Sequence, residues 1–238
     1  DGSTGGGGGA DPKVVVADAG AAESLGMRST QEDTHVLTSF TAAPRALSIR
    51  AVNGGGEGEP EPEAEGGDEA GDGEGREPGV AVTTNYVLGA VFDGHRGPAA
   101  SAHAAKHLPA AVRAAIARAE PSPLAAAWRQ VCDAYLASGR QDGSTATAAL
   151  LADDGRCELL NCGDSRAVLG SIEPNGVCRV EFATRDHSPA DGSEMERIEA
   201  AGGRVRCGAG GDWRVVVNTD EGKWQVAVAR SLGGTDWQ

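Results

Sequence analysis

The chain carries an acidic residue, a glycine and a histidine in succession where a buried strand is predicted to end. The segment is Val91-Phe92-Asp93-Gly94-His95-Arg96-Gly97, and an alanine-rich run typical of a helix follows it. Asp93 is a hard oxygen ligand suited to Mg²⁺ or Mn²⁺, and the Gly94 carbonyl can approach an ion closely. The ordinary pKa of His95 suits proton transfer near neutral pH. Asp-Gly-His is also typical of a turn that caps the following helix, so these residues alone leave two interpretations.

Composition excludes several classes of protein. The 238 residues carry a formal charge of -14 and form no basic stripe, which argues against a nucleic-acid partner. Ten acidic residues and one arginine fall between positions 53 and 79, a pattern typical of a solvated loop. No run of 18 apolar residues occurs, so we expect no membrane span. We expect a monomer.

The cysteines and histidines give no zinc pattern. Five cysteines without a C-x-x-C pair favour a reducing compartment, and we expect a cytoplasmic or nuclear protein. His103 and His107 have the four-residue spacing of zinc ligands. Position 104 is alanine, whereas a metalloprotease needs glutamate there. We therefore predict no zinc site.

The order of predicted elements favours antiparallel sheets covered by helices. Residues 1–12 are interpreted as a glycine-rich tail, 13–238 as one domain, and 53–79 as an acidic insertion within it. Hydrophobic periodicity and turn residues predict the elements in order. They are strands at 13–17, 34–40 and 83–92, helices at 98–119 and 121–137, strands at 145–152, 157–161, 166–169 and 177–183, a helix at 192–201, strands at 204–206 and 213–217, and a helix at 224–231.

Several short motifs occur one after another along the chain. They are Gly26-x-Arg28 with Glu32-Asp33, Asp93-Gly94-His95-x-Gly97, Gly143-Ser144-Thr145-Ala146, Asn161-Cys162-Gly163-Asp164-Ser165-Arg166, Asp186-His187, Glu196-Arg197-Ile198 with Gly202-Gly203, and Val228-Ala229-Arg230-Ser231-Leu232-Gly233. This series resembles the protein phosphatase 2C (PP2C) family of metal-dependent serine/threonine phosphatases, in a form that looks plant-like. The resemblance implies an α+β fold, a four-layer α-β-β-α sandwich of two antiparallel sheets flanked by helix pairs, incomplete at the C-terminus.

The resemblance also implies a two-metal mechanism using Mg²⁺ or Mn²⁺, with phosphoproteins as substrates. Asp93 would bridge two ions and the Gly94 carbonyl would bind one of them. Glu32 and Asp33 would lie beside the ions, although an exposed acidic turn is the alternative. Water activated by the ions would attack directly, so no covalent phosphoenzyme is expected.

Three more residues receive roles from the resemblance. Arg28 would grip the phosphate, unless it is an ordinary surface arginine. His95 would protonate the leaving oxygen. Asp164 would support a third, weaker ion or else serve only as a turn residue. Asp186 and His187 are interpreted as structural or peripheral.

The sequence departs from the family pattern near its end. Ala229 and Gly234 stand where the family usually has serine and aspartate, although Asp236 follows closely. The chain also ends before the family's later metal-binding aspartates. Two hypotheses therefore stand: an active serine/threonine phosphatase of which this is a part, or a catalytically impaired module that binds partners without turnover.

Overall fold

The computed structural model describes residues 31–42, 51–53, 83–219 and 222–234. The elements in chain order are β1 (Thr34–Ala42), β2 (Ala51–Asn53), β3 (Thr84–Phe92), β4 (Gly94–His95), α1 (Ala99–Ala117), α2 (Pro123–Leu136), β5 (Gly143–Ser144), β6 (Ala146–Ala152), β7 (Cys157–Cys162), β8 (Val168–Ile172), β9 (Cys178–Ala183), α3 (Gly192–Ala200), β10 (Arg204–Cys207), β11 (Trp213–Thr219), β12 (Gly222–Val226) and β13 (Leu232–Gly233). The predicted tail at 1–12, the strand at 13–17, Arg28 and most of the acidic insertion lie outside the described residues.

A five-stranded sheet forms the centre of the described part, in the order β1-β3-β6-β7-β2. Its pairs are antiparallel except β2 with β7, which is parallel. β1 and β3 pair along their whole length although the acidic insertion separates them in sequence. The predicted α+β class with antiparallel sheets is confirmed, and β2 is the exception that the sequence analysis missed.

The main core lies between this sheet and helices α1 and α2. Alternate residues of β3 are buried, as its period of two requires, and they include Leu88 and Phe92. Phe92 stacks on Trp128 of α2 with ring centroids 6.5 Å apart. His103, early in α1, contacts Tyr135, late in α2, so the two helices run antiparallel as predicted.

Both helices obtain their N-terminal caps from elsewhere in the chain. Neither α1 nor α2 has a side-chain hydrogen bond from its own N-cap residue. The Asp142 carboxylate instead accepts a 2.8 Å hydrogen bond from the Ala100 amide of α1. Glu158 of β7 accepts bonds of 3.1 and 3.2 Å from the Leu124 and Ala125 amides of α2. These strand-side carboxylates satisfy amides that a helix start leaves without partners.

The remaining strands form smaller sheets: β10-β11-β12, β13-β5-β4 and the hairpin β8-β9. The predicted helix at 224–231 is wrong. Residues up to Val226 form strand β12, which pairs with β11 and begins at Gly222, where φ is +130°. Val226 and Val228 are buried while Ala227 between them is exposed, and this period of two outweighs the helix propensity of the alanines.

Candidate metal and phosphate site

The register of β1 and β3 brings two predicted acidic residues to one place. Thr34 pairs with Phe92, so Asp33 and Asp93 leave the sheet side by side at the same end. Both line an open cleft of about 550 Å³ on the face of the sheet opposite the helices. The structure therefore unites two segments that are 60 residues apart in sequence.

Gly94 packs directly against the backbone of Glu32. A Cβ atom added to Gly94 would lie 2.3 Å from the Glu32 carbonyl oxygen, far inside the contact limit, so only glycine fits here. The Ser101 hydroxyl of α1 also donates a hydrogen bond to the Glu32 carbonyl. Glu32 is thus held between a helix and the Asp93-Gly94 segment and is half-buried. The alternative of an exposed acidic turn is wrong.

The Gly143-Ser144-Thr145 motif fixes the backbone of Asp93. The Thr145 amide donates to the Asp93 carbonyl at 2.9 Å, and the Asp93 amide donates to the Thr145 hydroxyl at 3.1 Å. Ser144 donates to the same carbonyl at 3.3 Å, and Ser165 pairs with the Thr145 hydroxyl at 2.8 Å. These residues hold the backbone of Asp93 against the neighbouring strand. The N-cap of α1 is Pro98, and the Ala100 amide in its first turn bonds to Asp142 rather than to Asp93. The interpretation of Asp93 as a helix-capping turn is therefore wrong.

His95 lies on strand β4, which pairs with β5. A Cβ atom added to Gly143 would lie 2.3 Å from His95 Nε2, so the imidazole ring rests against the glycine backbone. Burial, followed by the charge of Arg96, lowers the pKa of His95 to about 4, although the charge of Asp142 opposes both effects. The ordinary histidine pKa expected from the sequence does not hold in the folded chain, because burial disfavours the charged imidazole.

The residues after His95 form a sharp turn. Arg96 has a φ of +64°, which is uncommon for a residue with a side chain. Its guanidinium group lies over the ring of Trp224 at 4.4 Å from the centroid. Trp224 is 40% exposed and belongs to β12. The turn beside His95 is therefore attached to the β10-β11-β12 sheet through a cation–π contact.

Asp164 is exposed in the turn after Gly163, whose φ is +105°. It does not line the cleft, whereas its neighbours Ser165 and Arg166 do. Arg166 forms a bidentate ion pair with Asp186 at 2.8 and 2.7 Å, and this pair lowers the pKa of Asp186. Asp164 thus occupies a turn position, and its role as a ligand stays a prediction.

His187 is buried and supports the same turn. Its Nδ1 accepts a 3.2 Å hydrogen bond from the Gly163 amide, and its own amide donates to the Gly163 carbonyl at 2.8 Å. Burial lowers the pKa of His187, and the charge of Arg230 lowers it further. Arg230 in turn is paired with the buried Glu194 of α3 at 2.8 Å.

The donors assembled at the cleft are oxygen atoms, which suit hard divalent ions rather than zinc. They are the Asp33 and Asp93 carboxylates, with the Gly94 and Glu32 backbone alongside. Within the described ranges, no three histidine, cysteine, aspartate or glutamate side chains converge into a group that could hold a metal ion. The described residues therefore fit part of a binding site for a hard cation.

Four positions missed by sequence reasoning contribute to this site. Thr145 bonds to Asp93, Ser165 bonds to Thr145, and Asp142 lies against Gly97. Arg166 adds a cation to the cleft. Thr145, Ser165 and Arg166 lie in motifs that the sequence analysis singled out, but no role followed from spacing alone. Asp142 carried no signal beyond its place next to Gly143.

Comparison with known proteins decides the family. The sequence profile of the family described as protein phosphatase 2C matches residues 82–238. The chain belongs to the protein phosphatase 2C family. A rice relative named probable protein phosphatase 2C 74 is 34% identical over 178 residues, covering 66% of this chain and 42% of the relative. A mouse relative named probable protein phosphatase 1N is 40% identical over 134 residues, covering 52% of this chain and 32% of the relative.

Solved structures show the same fold. The crystal structure of serine-threonine phosphatase 2C from Toxoplasma gondii matches with a TM-score of 0.52 and 18% identity, over 67% of this chain and 60% of that one. The predicted PP2C sandwich architecture is thus supported by structure as well as by sequence. The chain spans less than half the length of the rice and mouse relatives. Among the described helices, none is both long and apolar enough to cross a membrane.

Proposed function

We propose that the full-length protein is a metal-dependent phosphatase that hydrolyses phosphoserine and phosphothreonine on proteins. The observation that carries the proposal is the β1–β3 register, which places Asp33 beside Asp93 in one cleft, while Glu32, next to Asp33, packs against Gly94. The names of the rice and mouse relatives support the same activity. They favour an enzyme over the alternative of a binding module without turnover.

The proposed cofactor is a pair of Mg²⁺ or Mn²⁺ ions. Asp93, the Gly94 carbonyl, Asp33 and Glu32 would hold them from this part of the chain, with Asp164 as a candidate for a further position. Bound divalent ions neutralise phosphate charge and lower the pKa of a coordinated water, which supplies a nucleophile at neutral pH.

The protein's own groups would orient the substrate and move the proton. His95 would donate a proton to the leaving seryl or threonyl oxygen, a step that typically contributes about 10²–10⁴-fold. A phosphate dianion nearby opposes the effect of burial on this imidazole, because negative charge favours its protonated form. Arg28, outside the described residues, is proposed to bind the phosphate oxygens. The protein would act as a monomer in the cytoplasm or nucleus and would have no nucleic-acid partner.

The decisive experiment is hydrolysis of a phosphothreonine peptide by the full-length protein with Mn²⁺ or Mg²⁺. Addition of EDTA and the Asp93→Asn substitution should each abolish turnover. Asp153→Asn is the matched control, because Asp153 binds Asn85 in the turn after β6, at the opposite end of the sheet. Turnover that survives both EDTA and Asp93→Asn would refute the proposed function.

A further inference from the structure

Asp142 is a buried carboxylate in contact with three structural elements. It is 8% exposed and immediately precedes β5. Its Oδ2 accepts from the Ala100 amide at 2.8 Å, and its Oδ1 accepts from the Tyr135 hydroxyl at 2.6 Å and from Arg140 Nε at 3.4 Å. Burial alone would raise the pKa of Asp142, but the hydrogen bonds from Tyr135 and Ala100 outweigh it and lower the pKa below its usual value. The carboxylate is therefore ionised.

The same residue lies against the segment that carries His95. Gly143, next in sequence, pairs with His95 across β4 and β5, and the imidazole Nε2 rests on its backbone. On the other side of His95, a Cβ atom added to Gly97 would lie 3.5 Å from the Asp142 Cβ and 3.8 Å from its Oδ2. Asp142 thus directly precedes β5, on which the His95 ring rests, and also contacts the turn that follows His95.

We propose that Asp142 is a positioning residue that holds the imidazole of His95 at its place over Gly143. The first turn of α1, the end of α2 and the start of β5 meet at this carboxylate, so its hydrogen bonds fix β5 relative to both helices. Because β4 has only two residues, its placement depends on β5 and on the turn at Arg96 and Gly97. The inference rests on the proposed function in assigning proton donation to His95.

The alternative is that Asp142 only stabilises α1. Glu158 provides a matched control for this alternative. Like Asp142 with α1, its carboxylate accepts hydrogen bonds from amides at the start of a helix, here the Leu124 and Ala125 amides of α2. Glu158 is half-buried on β7, whose neighbours in the sheet are β6 and β2 rather than β4 or β5. Loss of either cap should destabilise the fold, but only Asp142 should affect His95.

The substitutions are Asp142→Ala and Asp142→Asn, compared with Glu158→Ala in the full-length protein. Asparagine can still accept from Ala100 while its amide donates to the Tyr135 hydroxyl oxygen, because a hydroxyl both donates and accepts. We therefore expect Asp142→Asn to retain most of the activity that Asp142→Ala loses. All assays are run well below the melting temperature of each variant.

Two substrates separate positioning from stability. A phosphothreonine peptide has a poor leaving group that needs protonation, whereas p-nitrophenyl phosphate releases a stable phenolate that needs little. Asp142→Ala should lower kcat on the peptide by about 10–100-fold, by analogy with the effect of a small misplacement of a reacting group, and on p-nitrophenyl phosphate by less than about 3-fold. Glu158→Ala should change neither kcat. Equal losses on both substrates for Asp142→Ala would overturn the inference.

A spectroscopic measurement decides the inference even if the proposed function fails. The ring signals of His95 in histidine-labelled protein are assigned by their loss in His95→Gln. They should shift in Asp142→Ala, remain near the wild-type position in Asp142→Asn, and stay unchanged in Glu158→Ala. Wild-type protein without metal-dependent hydrolysis would refute the phosphatase proposal alone. An unshifted His95 signal in Asp142→Ala would refute the positioning role.

Discussion

A methyl group at Gly94 should separate the two acidic segments of the site. An alanine Cβ at position 94 would lie 2.3 Å from the Glu32 carbonyl oxygen and 3.0 Å from the Glu32 Cβ. The Glu32 backbone must therefore retreat by about 0.7 Å to reach even the shortest distance that real Cβ atoms show, which is 3.0 Å. Ser101 resists this movement because it holds the same carbonyl from α1.

The expected stability loss is that of an overpacked site, about 1–3 kcal/mol. For a domain of this size each kcal/mol corresponds to about 2–4 °C in Tm, so Gly94→Ala should lower Tm by roughly 2–12 °C. A displacement approaching 1 Å at a catalytic centre costs up to about 10²-fold in rate. Since Glu32 and Asp33 would move away from Asp93, the concentration of Mn²⁺ needed for half-maximal activity should also rise.

Thermal unfolding followed by circular dichroism and an Mn²⁺ titration of peptide hydrolysis would measure both effects. Gly192→Ala is the control, because an added Cβ at Gly192 meets no atom within 4 Å and lies in the first turn of α3. It should leave Mn²⁺ dependence unchanged. If Gly94→Ala and Gly192→Ala give the same Tm and the same Mn²⁺ dependence, the contact between Gly94 and Glu32 does not constrain the site.

Three further changes test other contacts. Thr145→Val keeps the shape of the buried side chain but leaves the Asp93 amide without its acceptor. The free energy of unfolding measured with urea should therefore fall by about 1–3 kcal/mol. Thr145→Ser is the control, because serine should retain the hydrogen bond. Burial and nearby arginines lower the pKa of His187 in the native protein. As the pH falls through 6.5, this histidine therefore binds a proton in the unfolded chain but not in the native protein. Stability should therefore decrease from pH 7 to pH 5, and a His187→Asn variant that shows the same decrease would contradict this assignment. Arg96→Ala removes a cation–π contact worth about 0.5–1 kcal/mol and should change the fluorescence of Trp224, and an unchanged emission spectrum would argue against the contact.

The central sheet and its helices were predictable because their patterns are strong. The nine residues of β1 and of β3 alternate in burial, and α1 and α2 are long runs with prolines near their starts. The segment at 224–231 was not, because Ala and Gln favour a helix locally, whereas residues 224–226 pair with β11 as the end of β12. Short segments such as β12 are decided by tertiary partners.

The ligand candidates were predictable from motifs, but the residues that hold them were not. Asp93, Gly94, Glu32 and Asp33 stood in recognisable motifs, and their meeting follows from one strand pairing. The bonds from Asp93 to Thr145 and from Ala100 to Asp142 span 52 and 42 residues. No periodicity encodes such contacts. The pKa of His95 likewise depends on burial that appears only in the folded chain.

The capping of α1 by Asp142 and of α2 by Glu158 affects the order in which the domain folds. The carboxylate that bonds the first turn lies 42 residues away in sequence for α1 and 34 residues away for α2. Neither helix can therefore form all of its N-terminal hydrogen bonds as an isolated segment. Closing such loops is entropically unfavourable and slows folding relative to local contacts. In a refolding experiment, protection of the Ala100 and Leu124 amides from hydrogen exchange should therefore rise together with protection in β6 and β7, after the middle turns of both helices.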